Sequence, residues 1–165
     1  VLDRVIDKGW VDPNHLYIGG GSYGGILTNW MIGHTNRFRA AVSERGDSDY
    51  FSGCGTDDCH IGYTDELGLP WKNPENYWRI SPIRYVEYMN TPVLFIEGAE
   101  DCRCPLSSAG PIYVSLKKRG VEAELVIYHG EGHSFKKPGH RVDRLQRILD
   151  WFASHGGKNK GKEIS

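Results

Sequence analysis

The stretch Gly19-Gly20-Gly21-Ser22-Tyr23-Gly24-Gly25 constrains the fold of this chain more than any other. An apolar and aromatic run, Leu16-Tyr17-Ile18, leads into it, and a helix-forming run, Ile26-Leu27-Thr28-Asn29-Trp30-Met31-Ile32, leads out. With a strand before it and a helix after it, the Gly20-x-Ser22-x-Gly24 pattern reads as a nucleophile elbow, a sharp bend that lifts a serine hydroxyl above a sheet. The glycines have a steric reason. The serine is held in a strained conformation, and a Cβ two residues before or after it would meet the crossing strand or helix. The first amides of the following helix point at the serine, which suits a developing oxyanion. The bland alternative is a glycine-rich turn with an incidental serine. The order strand, elbow, helix argues against it.

The remaining chain alternates strands and helices. Val1 to Lys8 reads as the end of a helix stopped at Gly9, and Asp12-Pro13-Asn14 as a turn. His15 to Ile18 is the elbow strand, and the elbow helix runs to about Ile32. Strands are expected at Phe38–Ser43, Thr91–Glu97 and Glu122–Tyr128, and Thr91–Glu97 has the continuous apolar run of a strand covered on both faces. Glu44 to Leu69 is rich in Gly, Asp, Ser, Tyr and Cys. It reads as a long insertion with one short helix near Tyr63–Leu67, and loops of this length are usually functional. Helices are expected to start at Asn73-Pro74 and after Ser81-Pro82, and to run from Pro105 to Arg119 and from Pro138 to His155. In the last, Val142, Leu145, Ile148, Leu149 and Phe152 form an apolar face, with Arg141, Arg144, Arg147 and Asp150 away from it. Residues 156–165 are expected to be a disordered tail. Alternating strands and helices imply a parallel sheet of about four strands flanked by helices, with function at the carboxyl ends of the strands.

Composition removes several classes of function. Lys plus Arg number 20 and Asp plus Glu 21, a balance that argues against nucleic acid or an anionic membrane surface as partner. No apolar run is long enough to span a bilayer, and no secretory signal opens the sequence. The four cysteines, Cys54, Cys59, Cys102 and Cys104, lack a clean zinc spacing. They read as unpaired thiols in a reducing, cytoplasmic compartment, with no metal and no cofactor.

A serine nucleophile needs a base, and the base needs an orienting acid. The Thr91–Glu97 strand leads into Glu97-Gly98-Ala99-Glu100-Asp101, and the Glu122–Tyr128 strand into His129-Gly130-Glu131-Gly132-His133. Glu97, Glu100 and Asp101 compete for the acid. His133, in a glycine-flanked loop, competes with His129 at the strand end for the base. His15 precedes a strand at the wrong end of the sheet.

Taken together, Gly20-Gly21-Ser22-Tyr23-Gly24-Gly25, Asn29-Trp30, Gly33-His34-Thr35, Tyr77-Trp78-Arg79-x-Ser81-Pro82, Asp101-x-Arg103-Cys104-Pro105, Gly130-Glu131-Gly132-His133 and His140-Arg141-Val142-x-Arg144 resemble the catalytic domain of the prolyl oligopeptidase family, its acylaminoacyl-peptidase branch above all. The likeness runs from about Val5 to Phe152. It implies the C-terminal portion of an α/β-hydrolase fold over residues 1–155. In that pattern Ser22 is the nucleophile, His133 the general base and Asp101, rather than Glu100, its orienter. Tyr23 supplies an oxyanion N–H, Arg103 holds a substrate carbonyl, and Tyr50 and Phe51 fall where the family builds its specificity pocket. The activity implied is a serine peptidase acting on oligopeptides, N-acylated ones included, with no cofactor. The rival readings are a carboxylesterase with the same three residues and a non-catalytic fragment. Two features depart from the pattern: Cys102 stands where an aromatic is usual, and the Cys54–Cys59 segment is not a standard element. The family also carries an upstream half-domain, with the second oxyanion donor, and a β-propeller. The expected partners are therefore a peptide substrate and this N-terminal part of the same protein, with a homo-oligomer left open.

Overall fold

A computed structural model describes residues 2–156. The elements in chain order are α1 (Leu2–Asp7), β1 (Tyr17–Gly21), α2 (Tyr23–Ile32), β2 (Ala40–Glu44), α3 (Tyr50–Thr56), α4 (His60–Leu67), α5 (Pro74–Ile80), a 3-10 helix (Pro82–Tyr88), β3 (Val93–Gly98), α6 (Leu106–Lys118), β4 (Ala123–Tyr128) and α7 (Pro138–Ser154). The four strands lie side by side in sequence order, every pair parallel. This is the α/β-hydrolase arrangement of a parallel sheet between helices.

Period-2 alternation sorts the strand residues onto two faces. Ala41, Val93, Phe95 and Ala123 pack against Ile32 of α2, Met89, and Ala109, Ile112 and Leu116 of α6. Ala40, Val42, Leu94, Ile96 and Tyr128 face the other way, onto Trp151, Ile148 and Phe152 of α7. Covered on both sides, Val93 to Ile96 are at most 1% exposed. Each such side chain contributes roughly 1.5–3 kcal/mol on burial.

Several boundaries differ from expectation. β1 starts at Tyr17 and runs through the glycines to Gly21, pairing Gly19, Gly20 and Gly21 with Val42, Ser43 and Glu44. His15 instead closes the preceding turn, its amide on the Asp12 carbonyl at 3.0 Å and its ring on the Asp12 carboxylate at 2.7 Å. β2 is displaced toward Glu44, whose carbonyl accepts the Ser22 amide at 2.9 Å. The segment expected to be one insertion with a single helix holds two, α3 and α4. Asp49 caps α3, accepting from the amides of Phe51 and Ser52. Gly53 and Gly55 inside so short a helix erase its periodicity.

The apolar face of α7 is also rotated from expectation. Arg144, Ile148, Trp151 and His155, spaced i, i+4, i+7 and i+11, form the stripe nearest the sheet, and Val142, Leu145 and Leu149 are exposed. Arg144 turns inward because the Glu44 carboxylate waits at the end of β2 and takes its guanidinium through both Nε and Nη2. Of the expected tail, residues 157–165 lie outside the described residues. No helix among the described residues is long and apolar enough to cross a membrane.

Candidate active site

Ser22 sits between β1 and α2 with φ 59° and ψ −124°, a left-handed conformation rare for a residue with a side chain. The glycines around it make the bend. A Cβ on Gly20 would come within 2.7 Å of the Gly24 backbone, and one on Gly25 within 2.6 Å of the Glu44 carbonyl oxygen. Gly24 itself has open space, so its own Cβ is not what the bend excludes. Tyr23 is the first residue of α2, so its amide is among the N–H groups that helix geometry leaves without an intrahelical carbonyl.

The Ser22 Oγ lies 2.8 Å from His133 Nε2, and His133 Nδ1 lies 2.9 Å from Asp101 Oδ2. A carboxylate can only accept, so Nδ1 carries the proton of the neutral imidazole, and Nε2 is left to accept from the serine hydroxyl. The other Asp101 oxygen accepts from the amides of Arg103 at 2.8 Å and Cys104 at 3.0 Å. These bonds fix the carboxylate's plane, and its side chain is 0% exposed. Glu100 is exposed, and Glu97 is buried with no hydrogen bond of ordinary geometry to its carboxylate. His129 lies at the exposed end of β4.

Two supports escaped the sequence reading. Arg45, at the end of β2 with φ 47°, donates from Nη1 to the His133 carbonyl at 2.5 Å. It also lies 5.3 Å from the Phe135 ring centre, and its Nη2 lies 2.5 Å from where a Cβ on Gly21 would stand. Glu131, 2% exposed, accepts from the amides of Lys136 and Lys137 and from His140 Nδ1 at 2.7 to 2.9 Å. Its carbonyl accepts the Glu100 amide at 3.0 Å, so one residue ties the Asp101 loop to the His133 loop. The available signal was position: Arg45 directly follows β2, and Glu131 lies in the loop just past the carboxyl end of β4.

Beside Ser22 opens a cavity of about 530 Å³. Tyr23, Ile26, Leu27 and Trp30 form one wall, and Tyr50, Tyr63, Leu67 and Ile80 another. Arg103 lies on its rim, its guanidinium forked onto Asp58 at 2.9 and 3.3 Å. Tyr50 is in the wall, 5.1 Å from Tyr63 edge to face. Phe51 is outside the lining, half exposed against Tyr77.

The prolyl oligopeptidase family profile matches residues 1–159. The chain belongs to the prolyl oligopeptidase family. The "uncharacterized peptidase YuxL" of Bacillus subtilis is 39% identical over 151 residues, covering 88% of this chain and 23% of that protein. Acylamino-acid-releasing enzyme 1 of rice, Oryza sativa subsp. japonica, is 31% identical over 95% of this chain and 22% of its own length. Among solved structures, the uncomplexed acylaminoacyl peptidase of Pyrococcus horikoshii superposes with a TM-score of 0.88 at 29% identity, over 99% of this chain and 28% of that one. The chain thus spans about a quarter or less of the length of the curated relatives it matches.

In this prolyl oligopeptidase family member the ground beneath the cavity is acidic. Burial pushes Asp47 up to about 6, the charges of Asp57 and Asp101 add to the rise, and Ser108 and Cys104 alongside offset part of it. Glu97 is held well above the carboxylate range by burial first, then by Asp101 and Asp47, against the pull of Arg45. Burial also pushes the Cys104 thiol up, so it is a packed group rather than a nucleophile. All four cysteines are unpaired. Among the described residues, no cluster of three His, Cys, Asp or Glu is arranged to hold a metal.

Proposed function

We propose that this chain carries the reacting groups of a serine peptidase that cleaves oligopeptides, N-acylated ones included, through an acyl-enzyme. The single observation that carries the reading is the continuous hydrogen-bonded line Ser22 Oγ, His133 Nε2, His133 Nδ1, Asp101 Oδ2, with links of 2.8 and 2.9 Å. Ser22 attacks the scissile carbonyl while Nε2 takes its proton. The imidazolium is stabilised by Asp101, which holds the ring's tautomer and keeps its own charge. The tetrahedral oxygen draws the Tyr23 amide at the start of α2. The proton on Nε2 then passes to the leaving amine. Water deacylates Ser22 by the same route in reverse. Kinship with acylaminoacyl peptidases supports the peptide class, and one such structure holds Z-Gly-Gly-Phe-chloromethyl ketone.

The test is covalent. A fluorophosphonate should phosphonylate Ser22, and Ser22→Ala should lose the label. The same substitution should lower turnover by a factor on the order of a million. Labelling that survives in the alanine variant would remove Ser22 from the reaction. Turnover of the p-nitrophenyl ester with no detectable cleavage of the matching acyl-amino-acid anilide or of an acyl-peptide would move the activity to ester hydrolysis.

A further inference from the structure

The cavity beside Ser22 is walled by aromatic and aliphatic side chains, yet Asp47 is part of its lining. Asp47 is 1% exposed, and neither carboxylate oxygen accepts a hydrogen bond of ordinary geometry. The neighbours that offset part of its burial, the Ser108 hydroxyl and the Cys104 thiol, are both uncharged, so neither neutralises the carboxylate. Gly46, the preceding residue, packs on the first turn of α2, where a Cβ would come within 2.6 Å of Gly25. Asp47 therefore follows a residue seated on the first turn of the elbow helix, and it lines the same cavity as Ser22.

A buried carboxylate with no cation against it costs folding free energy, and a cationic ligand group would offset that cost. The charges around it define what that is. Glu66 adds a second carboxylate to the cavity lining. Asp57 and Asp101 add negative potential from below. Arg103, the cation among the lining residues, is already forked onto Asp58. The cavity thus offers apolar walls for an aliphatic stem and, at the Asp47 carboxylate, a negative end that the lining cation, Arg103, does not meet.

We propose that Asp47 is the specificity-determining residue of this cavity, and that the peptide side chain it selects, on the acyl side of the scissile bond, is cationic, lysine- or arginine-like. This rests on Ser22 being the nucleophile. A methylene stem lies against Trp30, Tyr50 and Tyr63, and the ammonium or guanidinium at its tip completes the Asp47 carboxylate. A buried polar partner left unpaired by the wrong substrate discriminates more strongly than any change in apolar fit.

The experiment measures the rate at which peptidyl diphenyl phosphonates inactivate the full-length protein, with lysine-, arginine-, leucine- or phenylalanine-like side chains at the position nearest phosphorus. A fluorophosphonate, which carries no such side chain, reports Ser22 reactivity by itself. The cationic phosphonates are expected to react at least tenfold faster than the apolar ones. Asp47→Asn is expected to lower that ratio at least tenfold. Because the ratio is internal, a variant that folds poorly changes both arms together. Preference of the unaltered protein for leucine or phenylalanine, with Ser22 labelled normally by the fluorophosphonate, would overturn the specificity and leave the serine mechanism standing. Failure of the fluorophosphonate to label Ser22 would overturn both.

Discussion

Ser22 holds its left-handed conformation because the backbones around it approach too closely for side chains. Gly20→Ala should therefore destabilise the chain by several kcal/mol, since backbone of Gly24 at 2.7 Å cannot step aside as a flexible side chain would. Denaturant titration measures this, and a cost below about 1 kcal/mol would show that the elbow relaxes. Asp101→Asn should lower kcat roughly ten-thousand-fold by allowing the wrong tautomer of His133, and Glu100→Gln far less. The reverse ranking in steady-state kinetics would transfer the orienting role. Asp47 supplies a pH test. Its folded pKa, about 6, lies above the ordinary 3.8, so the folded chain binds the proton more tightly than the unfolded one. The resulting penalty is absent below about pH 4, grows as pH rises to 6 and is complete above it, on the order of 1–3 kcal/mol. Asp47→Asn should accordingly raise Tm at pH 7.5 and change little at pH 4. A gain independent of pH would mean that the charge is not its source. That Ser22, Asp101 and His133 would meet was legible in the sequence because each follows a strand, Ser22 and His133 beside glycines and Asp101 picked out from Glu100 by the family resemblance. Arg45 and Glu131 were not, because their work is done through a backbone carbonyl and backbone amides that no side-chain pattern encodes.

α7 shows how one charged residue resets an element. The apolar positions of this helix admit two neighbouring stripes, and hydropathy alone favours the wrong one. The Glu44 carboxylate at the end of β2 selects the stripe that carries Arg144, with side-chain exposures of 8% and 25% for the pair. Arg144→Ala should cost about 2–4 kcal/mol by stranding Glu44, and pairing it with Glu44→Gln should recover much of that loss. Equal Tm values for the single and double variants would show that the contact is packing rather than charge. The lesson for reading sequence is that a strand-end acid and a helix arginine separated by 100 residues are invisible to periodicity. α3 was missed for a different reason: Asp49 caps it, but its glycines and its single short span give no repeating signal.

Across the whole molecule, parallel order and layering were legible, because strands alternate with helices and the covered strand β3 opens on the continuous apolar run Val93–Ile96. Among the described residues no strand pairs with the outer edge of β1, and Leu27, Met31, Val142, Leu145 and Leu149 stand 38% to 70% exposed. An open edge with uncovered apolar side chains favours self-association. The 165-residue chain alone should show concentration-dependent light scattering in the micromolar range, relieved by Leu145→Lys with Leu149→Glu. A monodisperse monomer at 100-fold higher concentration would contradict this. The sheet also separates two jobs. β2 and β3 are adjacent, so the excursion from residue 45 to 92 leaves and re-enters the sheet at neighbouring points. That excursion holds Asp47, Tyr50, Tyr63 and Ile80, whereas Ser22, Asp101 and His133 follow β1, β3 and β4. On the function proposed here, evolution, or a designer, could exchange the excursion as a cassette and recode what is cleaved while inheriting the chemistry that cleaves it.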